Sequence, residues 1–146
     1  MSCKLVVHGG IGSAAGFARG KDREREALHQ IADMAYAFLL QHSALETVIH
    51  AVCLLENDPL FNAGTGSKLQ SDGVIRMTAS VMDGQRQRFA GVINISDVKN
   101  PVQIAATLLE YDDRVLAGEG ATLFARNHGF PDYNPETPLR RIDYEQ

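Results

Sequence analysis

The sequence contains no tryptophan, has only 7% aromatic residues, and carries just two cysteines, Cys3 and Cys53. These cysteines lie far apart and outside any CxxC spacing, so neither a disulfide framework nor a zinc knuckle is supported. Cys53 falls on an apolar helical stripe and reads as a reduced core residue. Excess positive charge is also absent. Lys and Arg total 14 against 18 acids, a net charge of −4, and no basic cluster offers a nucleic-acid surface. No apolar run approaches the ~20 residues that cross a bilayer. The apolar run that opens the chain stops at His8, too soon for the core of a signal peptide, and a cytoplasmic location is expected. His29, His42, His50 and His128 show no metal-ligand spacing.

What remains is ordinary globular composition: 146 residues, 45% hydrophobic and 22% charged. The length suits one domain or a piece of a larger one. Leu5-Val6-Val7 reads as a buried strand that runs into the glycine turn His8-Gly9-Gly10-Ile11-Gly12. Residues 16–21 read as a loop. From Asp22, a plausible N-cap, Leu28, Ile31, Ala35 and Phe38 mark one face of a helix. Ser43-Ala44-Leu45-Glu46 has capping-box spacing and opens a second helix, which must end before Pro59. Ser71-Asp72-Gly73 predicts a hairpin between 68–70 and 74–76. Residues 78–83 and 88–95 read as neighbouring antiparallel strands, apolar enough to be covered on both faces. Asn100-Pro101 starts a further helix, and 119–127 forms another that Gly129 stops. The polar stretch 132–146 is expected to be an extended or disordered tail. Consecutive strands without intervening helices favour an α+β layered arrangement.

Three segments can carry chemistry. The glycine turn after His8 allows close backbone approach and presents N–H groups to an anion or oxyanion. It lacks the GxGxxG and P-loop patterns of nucleotide sites. The segment 57–66 packs Asn62 among Asp58-Pro59-Leu60-Phe61 and Ala63-Gly64-Thr65-Gly66, and a turn this dense leaves carbonyls free for water or a hard cation. Met82-Asp83-Gly84 is the third, and a plain hairpin turn accounts for it. A tight turn where a strand leaves a sheet, with His8 a satisfied structural histidine, accounts for the first, and a capped helix end followed by a β-turn accounts for the second.

In this order and spacing, Val6-Val7-His8-Gly9-Gly10-Ile11-Gly12, Asp58-Pro59-Leu60-Phe61-Asn62-Ala63-Gly64-Thr65-Gly66 and Ala79-Ser80-Val81-Met82-Asp83-Gly84 resemble the plant-type asparaginase and isoaspartyl peptidase family. Lys99-Asn100-Pro101 and Ala117-Gly118-Glu119-Gly120-Ala121 extend the likeness to nearly the whole chain. The resemblance implies an N-terminal-nucleophile hydrolase with an αββα sandwich. It is made as a precursor that cuts itself before a threonine, whose hydroxyl and freed α-amine become nucleophile and base. L-Asparagine and β-aspartyl dipeptides are the implied substrates.

The family's Gly-Thr-Val-Gly segment is not in this sequence; Thr65, Thr78, Thr107, Thr122 and Thr137 stand in other contexts. The resemblance therefore implies an α chain, the N-terminal half of the sandwich. Residues 1–131 would form the half-domain and 132–146 a linker leading to the cleavage point. Its partner would be a β chain carrying the N-terminal Thr, with two αβ units pairing, and the chain alone would be inactive. By position, Asn62 would sit beside the catalytic Thr, and His8, Gly9 and Gly10 would line the same neighbourhood. The main-chain carbonyls of Leu55, Glu56, Asp58, Phe61, Ala63 and Thr65 would hold a structural sodium ion. No organic cofactor is implied. Many relatives carry Asp in place of Thr78 and Ala in place of Ile11. A glycosylasparaginase-type α chain and a non-catalytic truncated paralogue that only binds a partner are the alternatives.

Overall fold

The computed structural model describes residues 3–10 and 22–146. The expected loop at 16–21 and the Ile11 departure lie outside the described residues.

Helix α1, Asp22–Leu39, has Asp22 and Glu24 in its first turn, where acids complement the helix dipole, and it buries Ile31 and Ala35. Asp22 thus lies within the helix rather than at its cap. A short turn leads to Ser43, the N-cap of α2, Ala44–Asn57. The predicted capping box is present: Ser43 Oγ accepts from Glu46 N at 3.2 Å, and Glu46 Oε2 accepts from Ser43 N at 2.9 Å. Phe38 stacks on both His42 and His50, with ring centroids 3.6 and 4.3 Å apart, and joins the two helices at their connection.

Strands β1, Met77–Asp83, and β2, Arg88–Ile95, pair antiparallel as predicted, from Asp83↔Arg88 to Met77↔Ile95, with a register irregularity between Met77 and Ala79. At the hairpin turn the Asp83 carboxylate accepts from Gln85 N at 3.0 Å and Arg86 N at 3.2 Å, so a turn role accounts for this segment. Helix α3, Pro101–Leu108, follows. Strand β3, Val115–Ala117, was not predicted; it adds parallel to β2 and completes a three-stranded sheet in the order β1-β2-β3. Helix α4 is Gly118–Asn127.

One face of the sheet is covered. Met77, Val81, Ala90, Val92 and Ile95 form a core with Ile104, Ala105 and Leu108 of α3 and with Ala121 and Ala125 of α4. Leu45 and Ile49 of α2 pack against its border. The opposite face is bare among the described residues. Met82 is 64% exposed, Phe89 50%, Ile93 46% and Val115 49%. Two-face covering was expected of these strands, and among the described residues only one face receives it.

Three further expectations are corrected. Residues 5–7 form no strand, and Val6 is almost fully exposed. β-Branched residues favour extended backbone, but a strand exists only through a ladder partner, and the described residues offer none here. The segments flanking Ser71-Asp72-Gly73 close a tight turn, with Gln70 N donating to Val74 O at 3.0 Å, yet do not extend into strands. The tail is not extended throughout: Pro138–Glu145 is helix α5, opened by Thr137, whose hydroxyl accepts from Arg140 N at 3.3 Å, and by Pro at the first helical position. A capping residue followed by proline outweighed the segment's polarity.

Candidate functional site

The turn that leaves α2 is closed by a dense set of short-range hydrogen bonds. Thr65 N donates to Glu56 O at 2.7 Å, Phe61 N to Asp58 O at 3.2 Å, and Ser67 N to Gly64 O at 3.2 Å. Leu60 N is held by the Asp58 carboxylate at 3.0 Å. Gly64 has φ +52°, and a Cβ there would stand 2.3 Å from Glu56 O. Gly66 has φ +90°, and a Cβ there would stand 2.6 Å from Pro59 O. Both positions need glycine for conformation and for space.

Asn62 is exposed at the head of this turn. Its Oδ1 accepts from Lys68 N at 2.8 Å. A backbone N–H bonds only an acceptor, so this contact sets the orientation of the amide and leaves its NH2 group to face outward. A cleft of about 330 Å³ opens beside it, lined by Glu56, Asn62, Lys68, Gln70, Arg76 and Thr78. Thr78, one of the departures from the family pattern, therefore shares a cleft with Asn62.

The glycine turn lies next to the same structure. A Cβ on Gly9 would stand 2.9 Å from the Phe61 ring, so the absence of a side chain at Gly9 lets the segment 8–10 lie against the 58–66 turn. Gly10 has φ +89°, and its N–H donates to His8 Nδ1 at 3.2 Å. The structure thus brings Gly9 together with Phe61, a neighbour of Asn62 in sequence. His8 is exposed and bonds only locally among the described residues.

The six residues whose carbonyls were assigned to an ion occupy one continuous stretch, from the last turn of α2 to Thr65. Among the described residues, the carbonyls of Phe61, Ala63 and Thr65 accept no hydrogen bond, while those of Leu55, Glu56 and Asp58 accept one backbone N–H each outside the helix ladder. A carbonyl has two lone pairs, so even the latter retain acceptor capacity. No group of three or more His, Cys, Asp or Glu side chains among the described residues is arranged to hold a metal. Any ion here would rest on main-chain oxygen, the donor type that suits a hard cation.

Two contributors were missed in the sequence. The first is the Glu56 side chain, only 2% exposed. Its Oε1 accepts from Val102 N and its Oε2 from Asn100 Nδ2, both at 3.1 Å. Asn100 is the N-cap of α3 but makes no capping bond of its own; Glu56 supplies it from a distant helix. Burial pushes the carboxyl up to about 7, against the pull of the two donors. A lone acid closing the apolar stripe of α2 was the available signal. The second is the tail: Tyr133, Pro135 and Arg140 bond the 65–66 segment. Nothing in sequence spacing links residues so far apart. Cys53, expected in the core, is only half-buried; burial first and the Glu56 charge second push its thiol up to about 12, which favours the protonated form.

The fold is α+β, with helices on one face of a small sheet and two glycine turns meeting beside a polar cleft. The chain belongs to the asparaginase family, within the N-terminal-nucleophile hydrolases: the family model described as Asparaginase matches residues 1–146. It is 47% identical over 144 residues to an isoaspartyl peptidase/L-asparaginase of Nostoc sp., covering 98% of this chain and 45% of that protein. A protein of the same description from Synechocystis sp. is 48% identical over 141 residues, covering 96% and 43%. A plant-type L-asparaginase of Pyrococcus abyssi is 40% identical over 146 residues, covering 97% and 47%. The chain spans about half the length of the curated relatives it matches.

Proposed function

We propose that the chain is the α half of a self-processing threonine hydrolase acting on L-asparagine and β-aspartyl dipeptides. The observation that carries the reading is the bare sheet face. Met82, Phe89, Ile93 and Val115 are exposed together on one face of the sheet, a concentration of large apolar side chains that a folded monomer rarely leaves open. Residues 5–7, which pair with no strand among the described residues, would find their ladder partner in the same second layer. A second sheet laid on this face buries both, as in a domain core cut in two. That the chain matches under half of each relative's length supports the same division.

In this reading the partner half supplies a Thr at its N-terminus. The Thr hydroxyl attacks the side-chain amide carbonyl of the substrate, its proton passing to the Thr α-amine. As the adduct collapses the α-ammonium gives that proton to the leaving nitrogen, which departs as ammonia or the amine of the dipeptide, and water, deprotonated by the same amine, then releases aspartate from the acyl-enzyme. Asn62 contributes an outward-facing NH2 that orients the Thr or the bond to be cut. Gly9 and Gly10 leave room for close approach of the partner backbone. The carbonyls of Leu55, Glu56, Asp58, Phe61, Ala63 and Thr65 would hold a sodium ion, which supplies a fixed positive charge that stiffens the turn.

Denaturing mass analysis of the protein expressed from its complete reading frame tests the proposal. Two polypeptides, the second beginning with Thr, are expected, together with hydrolysis of β-aspartyl dipeptides or L-asparagine. A single species of 15.9 kDa, the mass of this chain alone, refutes it and leaves the binding-partner alternative. Processing with hydrolysis confined to the side-chain amide that joins asparagine to a glycan, releasing aspartate and a glycosylamine, selects the glycosylasparaginase alternative.

A further inference from the structure

The tail does more than connect. Both backbone polar groups of Gly66 are taken by it: Gly66 N donates to Pro135 O at 2.9 Å, and Gly66 O accepts from Arg140 Nε at 2.6 Å. The Thr65 hydroxyl lies 2.8 Å from Tyr133 OH. Farther along, Tyr144 OH donates to Ser71 O at 3.3 Å. These contacts fall on Thr65, Gly66 and Ser71, which alternate along the chain with the residues 62–64 and 67–70 that line the cleft Asn62 heads.

The tail is built to hold its shape while it does this. Thr137 and Pro138 start α5. Arg141 forms a two-bond pair with Glu136, at 2.8 and 2.6 Å, across the start of the helix. The Arg140 side chain is only 13% exposed, so its bond to Gly66 O is shielded from water and correspondingly stronger. Arg140 also reaches Asp143 at 3.2 Å, which fixes its fork from the far side.

We propose that residues 133–140 are a strap that sets the geometry of the Asn62–Lys68 turn, with Arg140 as its positioning residue. The linkage is short. Arg140 holds Gly66 O, Gly66 is two residues from Lys68, and Lys68 N orients the Asn62 amide at 2.8 Å. Release of Gly66 lets the Lys68 N–H swing and the amide lose its aim. The functional side of this inference rests on the hydrolase reading; the structural side does not.

The test uses the protein expressed from its complete reading frame, with Arg140→Ala and Arg140→Lys. Amide hydrogen exchange over residues 62–73 is expected to rise about tenfold or more in Arg140→Ala, the scale of a lost hydrogen bond to a charged group, while peptides from β1 and β2 hold their rates. kcat falls at unchanged KM, and Arg140→Lys, which keeps a charged donor, restores part of both. Unchanged exchange in 62–73 overturns the strap. If exchange rises throughout the molecule, Tyr133→Phe, which removes one hydroxyl, decides: faster exchange confined to 62–73 supports the strap, and none overturns it. Faster local exchange with unaltered kcat in an active enzyme overturns the positioning role. Faster local exchange in a protein that hydrolyses nothing, wild type included, keeps the strap and removes the hydrolase reading.

Discussion

Replacing Glu56 by Gln should make stability lose a pH dependence of known sign. The Glu56 carboxyl is buried between Val102 N and the Asn100 amide, and burial pushes it from an ordinary 4.5 to about 7. Between those values the folded state holds a proton that the unfolded chain has released. Stability from this group is therefore complete below about pH 4.5, declines as pH rises toward 7, and is flat above. The full span corresponds to about 3 kcal/mol, and about 2–3 kcal/mol falls between pH 5 and 8.

Gln does not titrate, but it turns an NH2 group toward one of two N–H donors. That mismatch costs about 1–3 kcal/mol and does not depend on pH. Glu56→Gln is thus expected to be less stable than the wild type at pH 5 and to equal or exceed it at pH 8. Urea unfolding of both proteins at pH 5, 6, 7 and 8, at one ionic strength, measures the difference directly. Parallel stability curves would show that the carboxylate is ionised throughout and that its two donors outweigh burial, refuting the reasoning.

Other predictions follow from the same region. Asn62→Ala should slow self-cleavage, hydrolysis or both while leaving the fold intact, since the side chain is exposed and its loss frees only Lys68 N; unchanged rates in both assays remove Asn62 from the site. Gly64→Ala should lower stability by at least about 2 kcal/mol, because the added Cβ meets Glu56 O at 2.3 Å in a backbone already at φ +52°; a melting temperature equal to wild type would contradict this. Exchanging sodium for a large organic cation should lower the melting temperature or activity, and no change in either means the carbonyls of the turn need no ion. The chain expressed alone should aggregate and bind hydrophobic dyes through Met82, Phe89, Ile93 and Val115; a soluble monomer that unfolds cooperatively would refute the half-domain reading.

Local signals in the sequence were decisive where the chain satisfies itself within a few residues. The Ser43–Glu46 capping box, the antiparallel pair on either side of Asp83, the helix at Asn100-Pro101 and the stop at Gly129 all depend on near neighbours. The motif order was enough to identify the family; within it Gly9, Gly64 and Gly66 are held to type by close approach or backbone conformation, and the Asn62 amide is oriented by Lys68 N. Only the tertiary structure decided the rest. Val6 and Val7 carry the composition of a strand, but a ladder needs a partner from elsewhere in space. The polar tail folds into a helix and reaches back 74 residues to Gly66, a contact no periodicity encodes. Glu56 reads as an ordinary acid at the end of a helix until packing removes its water and hands it the first turn of another helix. Burial and long-range hydrogen bonding are properties of the assembled chain, and they determine what surrounds Asn62.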